Sequence, residues 1–165
     1  MGGQVDRFHS LSHEEAIAQL MTCCAARHWA VQVSGFRPYA DEAALVNAGT
    51  KLADQLDWRD VLDALSAHPR IGERTSPSQG RDALWSQQEQ AGVSTDFREA
   101  LIEGNIAYER RFGHIFLICA TGRSGEDTLA ELAKRLENDI SAERVVVRQE
   151  LSKIVGLRLR KLVAS

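Results

Sequence analysis

The sequence has 165 residues, of which 44% are hydrophobic and 26% are charged. This composition is typical of a globular protein and excludes a disordered chain, and the length suits one domain over residues 1–165. A formal net charge of −3 and a pI near 6.0 argue against a general nucleic-acid-binding protein.

The three cysteines, Cys23, Cys24 and Cys119, have neither the spacing of a metal site nor that of a redox pair. We therefore expect thiols, no bound metal and a reducing compartment. The N-terminal residues lack the apolar core of a signal peptide, and no apolar run approaches the roughly 18 residues of a membrane span. The last three residues differ from a peroxisomal Ser-Lys-Leu signal. We expect a cytoplasmic protein without membrane contact.

Two amphipathic helices are predicted in the first third of the chain. Ser12 and Glu15 have the spacing of a capping box, and apolar residues at helical spacing follow. They predict a helix over about 13–26. The same spacing predicts a second helix over residues 41–55.

A third helix is predicted after Asp57, a typical N-cap residue. It must end near Ala67, because Pro69 disfavours the α conformation at the residue before it. The stretch from residue 68 to 80 is rich in loop-forming residues, so we expect a long loop there.

Two further helices are predicted between residues 81 and 111. The fourth covers about 81–91 and stops at Gly92, whereas the fifth is capped by Ser94 or Thr95 and runs to about Arg111.

The apolar run from residue 114 to 121 interrupts this helical pattern. It is short, rich in β-forming residues and has no partner strand, which predicts a buried extended segment. Helices over residues 126–137 and from Ser141 to the C-terminus complete the chain. The predicted fold is all-α, a single domain of about seven helices with one buried extended segment.

Arg158 lies where the last helix should have an aliphatic side chain. At 100° per residue it falls in the middle of an apolar stripe formed by Val147, Leu151, Ile154, Val155 and Leu162. A buried guanidinium needs an anion or several acceptors. The stripe therefore either opens onto a polar cavity or contains a structural ion pair.

Three features are candidates for a functional site. His68 follows a helix C-terminus, whose dipole favours the protonated ring, although such a residue is often only a surface or capping group. Ser86, Glu89 and Gln90 share one helix face and could hold a polar ligand, unless this face is simply solvated. The backbone of residues 114–121 could bind a ligand rich in donors and acceptors, unless neighbouring loops cover it.

Short motifs along the chain together resemble the OHCU decarboxylases, which act on 2-oxo-4-hydroxy-4-carboxy-5-ureidoimidazoline. The similar motifs extend from about Ser10 to Leu162. They are His68-Pro69 after a helix, Ser86-x-x-Glu89-Gln90 followed by Ala91-Gly92-Val93, Asn105-x-x-Tyr108, Arg111-Phe112-Gly113-x-x-Phe116 and Leu157-Arg158-Leu159.

The resemblance implies a role for each matching residue. His68 would be the catalytic proton donor, and Glu89 would interact with its ring. Substrate-binding positions would be Pro69, Ser86, Gln87, Gln88, Glu89, Gln90, Phe116, Leu117, Ile118, Cys119, Ala120 and Arg158, with residues 116–120 binding largely through the backbone. Family members are all-α, usually homodimeric, and use neither a metal nor an organic cofactor.

The activity implied is decarboxylation of OHCU to (S)-allantoin during urate breakdown in purine catabolism. The ring of this substrate can delocalise the electron pair that the departing carboxylate leaves, so the protein has to supply geometry and electrostatics. A metal-dependent hydrolase using His68, Glu73 and Glu89 is an alternative whose spacing matches no usual zinc motif. Another is a non-catalytic helical interaction module whose basic C-terminal helix binds an acidic partner.

Overall fold

A computed structural model of the chain describes residues 3–71, Trp85 and residues 97–164. All regular secondary structure in these ranges is helical, which confirms the predicted all-α fold. The eight helices of the described ranges are α1 (Gly3–His9), α2 (His13–Leu20), α3 (Arg27–Gly35), α4 (Glu42–Asp54), α5 (Trp58–Leu65), α6 (Arg98–Phe112), α7 (Gly125–Arg135) and α8 (Ile140–Ala164).

The first predicted helix has the correct start but the wrong end. Ser12 accepts the Glu15 N–H at 3.1 Å, and the Glu15 carboxylate accepts the Ser12 N–H at 3.0 Å, which confirms the capping box. The helix ends at Leu20, however, and a new helix begins at Arg27. The prediction of one helix over residues 13–26 was wrong. Buried residues continue through the turn between the two helices, so the apolar pattern does not show where the first helix ends.

Helices α4 and α5 agree with the ranges of the second and third predicted helices. Asp41 caps α4 by accepting the Ala44 N–H at 2.8 Å, and α4 ends at Asp54. Helix α5 begins at Trp58 and ends at Leu65, two residues before the predicted limit.

The start of α6 differs from its prediction. Ser94 and Thr95, the predicted caps, lie outside the described residues, and α6 begins only at Arg98, with Phe97 at an N-cap position that provides no side-chain hydrogen bond. The predicted loop beyond Ile71 and the helix over 81–91 also lie outside the described residues, apart from Trp85, which is helical and buried.

The chain forms two compact units, and the prediction of one domain over 1–165 remains a prediction. Residues 1–64 and 151–165 form the first unit, and residues 65–150 form the second. In the first unit the Trp29 indole donates to the Gly49 carbonyl at 2.9 Å. A β-carbon at Gly49 would collide with the Leu159 side chain, so any larger residue at this position on α4 would require this leucine of α8 to shift.

The core of the second unit surrounds the segment predicted to be extended. Residues 115–120 are in neither a helix nor a strand, and residues 116–120 are buried. The buried members of this core are Ile71, Leu101, Tyr108, Phe116, Ile118, Ala120 and Leu132. None of the helices in the described ranges is both long and apolar enough to cross a membrane.

Candidate active site

His68 follows α5, as predicted, three residues beyond its last residue, Leu65. Its backbone N–H donates to the Leu65 carbonyl at 3.0 Å, so a turn follows the last residue of the helix and ends just before Pro69. Both His68 and Pro69 are half-buried. His68 follows the C-terminal end of α5, where the helix dipole is negative.

The residues after His68 are tied to α6. Arg70 forms a bidentate ion pair with Glu109, with Nε–Oε2 at 2.8 Å and Nη2–Oε1 at 2.9 Å. The Asn105 amide donates to the Ile71 carbonyl at 2.9 Å. These contacts restrain the chain two and three residues beyond the candidate proton donor.

The backbone of the buried segment is bound by charged side chains. The Arg135 guanidinium donates to the Leu117 carbonyl at 2.7 Å. Glu150 accepts the Cys119 N–H at 3.1 Å, and Arg123 Nε donates to the Cys119 carbonyl at 3.2 Å. The N–H groups of Leu117, Ile118 and Ala120 donate to no residue within the described ranges. Such donors can bind a ligand oxygen.

Arg135 also belongs to a buried ionic cluster. It pairs with Glu143, and its guanidinium lies 4.5 Å from the centre of the Phe116 ring. The Tyr108 hydroxyl donates to Glu143. Burial, together with this hydrogen bond, raises the pKa of Tyr108 above its usual 10.0, so the phenol stays protonated.

Arg158 lies in the first unit and is buried, at 3% exposure. All five apolar residues of its predicted stripe are buried as well, which confirms the prediction that Arg158 lies on a buried helix face. Its Nη1 faces the Thr22 carbonyl at 3.5 Å, which is long for a hydrogen bond. Burial raises the pKa of the nearby Cys24 thiol to about 12, an effect that the charge of Arg158 partly opposes.

Glu73 and the five predicted substrate-binding residues Ser86, Gln87, Gln88, Glu89 and Gln90 lie outside the described residues. Their roles remain predictions. His68, Pro69 and residues 116–120 all belong to the second unit.

Known proteins that resemble this chain agree on one family. The family model of OHCU decarboxylase matches residues 9–160. The chain belongs to the OHCU decarboxylase family. The predicted membership is therefore confirmed.

Individual OHCU decarboxylases and related proteins match over most of the chain. The crystal structure of OHCU decarboxylase in the presence of (S)-allantoin is 32% identical, covers 88% of this chain and 96% of its own, and superposes with a TM-score of 0.73. The 2-oxo-4-hydroxy-4-carboxy-5-ureidoimidazoline decarboxylase of Amia calva is 31% identical, over 94% of this chain and 91% of its own length.

A plant relative is longer. The uric acid degradation bifunctional protein TTL of Arabidopsis thaliana is 37% identical over 145 residues, which are 85% of this chain but 45% of the plant protein. This member of the OHCU decarboxylase family therefore spans less than half of that relative.

Sequence reasoning missed two buried carboxylates, although a signal for them exists. Glu143 and Glu150 have 0% and 4% exposure. At 100° per residue, Glu143 and Glu150 lie about 60° and 80° from Arg158, just beyond one edge of its apolar stripe. In this OHCU decarboxylase family member, the helix therefore carries three charged residues on its buried face.

Proposed function

We propose that this protein decarboxylates 2-oxo-4-hydroxy-4-carboxy-5-ureidoimidazoline and forms (S)-allantoin in urate breakdown. The observation that carries the proposal is the 32% identity to OHCU decarboxylase crystallised in the presence of (S)-allantoin, over 88% of this chain. The position of His68 and the backbone donors of residues 116–120 support the same chemistry.

The first step breaks the bond between the ring carbon and the carboxylate. Carbon dioxide leaves, and the electron pair that remains is delocalised over the ring carbonyl and imine groups of the substrate. Backbone N–H groups of residues 116–120 would stabilise the resulting negative charge. Preorganised donors of this kind stabilise developing charge effectively because they need no reorganisation during the reaction.

The second step delivers a proton to the adjacent ring carbon, which carries the ureido group, while the hydroxyl on the decarboxylated carbon gives up its proton and becomes a carbonyl. His68, protonated in the field of the α5 C-terminus, would donate it and recover a proton from solvent. Ser86, Glu89 and Gln90 would hold the ureido group, and Glu89 would also interact with the His68 ring. Because His68 approaches the ring from one side, protonation would produce a single enantiomer.

The direct test generates the unstable substrate in situ from urate and follows circular dichroism. We expect optically active (S)-allantoin to accumulate faster with the protein than without it. A wild-type protein that changes neither the rate nor the optical activity of the product would contradict the proposed function.

We also propose that the enzyme is a homodimer. Four aliphatic side chains in the second unit are exposed by 45–57%: Ile102 and Ile106 on α6, and Ile140 and Val145 on α8. Surface aliphatic side chains one helical turn apart, such as Ile102 and Ile106, suit a subunit interface. Sedimentation of the wild type and of an Ile102→Lys, Ile106→Lys double variant tests this, and a wild-type monomer would refute it.

The cytoplasm remains the proposed compartment. Cys23, Cys24 and Cys119 are buried thiols, which suits a reducing environment. Fractionation of the source cells tests this proposal.

A further inference from the structure

Charged side chains hold both backbone groups of Cys119. Glu150 accepts its N–H at 3.1 Å, and Arg123 Nε donates to its carbonyl at 3.2 Å. Arg123 Nη2 also lies 3.7 Å from the same Glu150 oxygen. We refer to Glu150 and Arg123 as the Cys119 clamp. The two side chains bind one residue of the segment to which the proposed function assigns substrate binding.

The turn after the segment brings Arg123 into place. The Arg123 N–H donates to the Ala120 carbonyl at 3.0 Å, and Gly122 has φ +78°, a conformation that favours glycine. The chain therefore reverses within three residues, and the Arg123 side chain reaches back to Cys119.

The charged contacts fall on alternate residues. They bind the Leu117 carbonyl and both backbone groups of Cys119, whereas Ile118 between them makes no hydrogen bond to any part of the chain that the structure describes. In an extended backbone, groups two residues apart point to the same side and those of the residue between point to the opposite side. From this geometry we expect the N–H of Ile118 to point away from the side chains that bind residues 117 and 119.

The Cys119 clamp is a poor way to stabilise a core. Glu150 is 4% exposed, and a buried ion pair is often no more stabilising than apolar residues of similar volume. A charged group that binds backbone can instead hold it in one position. Fixed donors are what stabilisation of a developing anion requires.

We propose that Glu150 and Arg123 are positioning residues, which hold Cys119 so that the N–H groups of Ile118 and Ala120 face the ring anion formed on decarboxylation. This inference rests on the proposed function. Neither residue is assigned a contact with the substrate. Both act through the backbone of residues 118–120.

The test compares Glu150→Leu, Glu150→Gln and Arg123→Met with a control, Glu137→Gln, which removes an exposed carboxylate from the same unit. For each variant, kcat and KM are measured with substrate generated in situ, together with the unfolding midpoint. We expect Glu150→Leu to lower kcat by up to about 10²-fold with little change in KM, as for loss of a transition-state donor. Glu150→Gln should lose less, because its amide oxygen can still accept the Cys119 N–H.

Arg123→Met keeps the test decisive if Glu150→Leu does not fold, because the Arg123 side chain is 31% exposed. We expect it to lower kcat more than KM. Variants that shift only the unfolding midpoint, with the kcat of the control, would overturn the inference. Equal losses of kcat in Glu150→Gln and Glu150→Leu would overturn the role of the Cys119 hydrogen bond. An inactive wild type would instead refute the proposed function itself.

Discussion

Arg135 donates two hydrogen bonds to a single oxygen of Glu143, from Nε at 2.8 Å and from Nη2 at 2.5 Å. The two side chains are 1% and 0% exposed. Tyr108 donates to the same oxygen at 2.5 Å, and the Asn138 amide donates to the other oxygen at 3.1 Å. These four bonds offset the desolvation of the carboxylate, and the cluster holds α6, α7 and the start of α8 together.

The Arg135–Glu143 pair makes a prediction for stability. Glu143→Gln keeps the shape of the side chain but leaves the buried Arg135 without its counter-charge, so we expect a loss of about 3 kcal/mol or more in the free energy of unfolding. Urea unfolding measures this loss. The matched control is Glu103→Gln, at an exposed position on α6. Equal unfolding curves for the two variants would contradict the prediction.

His114 makes a prediction for pH dependence. Burial lowers its pKa from the usual 6.5, and its hydrogen bond to the Ile115 carbonyl only partly opposes this. Below pH 6.5 the unfolded chain binds a proton that the folded protein does not bind. The contribution of His114 to stability is therefore constant above that pH and decreases as the pH falls.

The measurement is the free energy of unfolding between about pH 5 and 7, a range chosen around the ordinary histidine pKa. We expect His114→Gln to lose less stability on acidification than the wild type does. His28→Gln, at an exposed position, should follow the wild type. A wild-type slope in the His114 variant would show that another group causes the decrease.

His68 makes a prediction for catalysis. His68→Ala or His68→Gln should fold, because the residue is only half-buried and follows a helix rather than belonging to its core. Proton transfer by a positioned side chain is worth about 10² to 10⁴ in rate, so we expect a loss of this size and of enantioselectivity. Chiral analysis of allantoin measures both, with His28→Ala as the control. Wild-type formation of (S)-allantoin by the variant would exclude His68 as the proton donor.

Arg158 makes a prediction that separates its two possible roles. If it binds the anionic part of the substrate, Arg158→Lys should fold but show a raised KM, because lysine loses the planar pair of donors. Arg158→Met should then remain as stable as the wild type, since it completes the apolar stripe. A methionine variant destabilised by about 3–5 kcal/mol, beside a lysine variant with normal turnover, would instead indicate a structural ion pair.

Local signals account for the helices that were predicted well. The caps at Ser12 and Asp41 each bind an N–H within three residues, so their effect is readable in sequence. The break between α2 and α3 contains neither Gly nor Pro. Cys23 and Cys24 are buried within it, and only packing distinguishes this turn from a continued helix.

The candidate site divides in the same way. The position of His68 after a helix, a buried segment within residues 114–121 and the burial of Arg158 followed from spacing and apolar pattern. The clamp on Cys119 did not, because Glu150 is 31 residues away from it in sequence. Helical phase could have shown that Glu150 faces the core, but not which backbone group it binds.

The sequence by itself determined the helical pattern, the family and the residue types of the site, since caps, apolar periodicity and short motifs act over a few neighbouring residues. Only the tertiary structure decided the partner of each buried charge: Arg135 for Glu143, and the Cys119 backbone with Arg123 for Glu150. A charge removed from water must bind whatever donors or acceptors the folded chain brings within about 3 Å of it, and that distance is set by packing rather than by position along the chain.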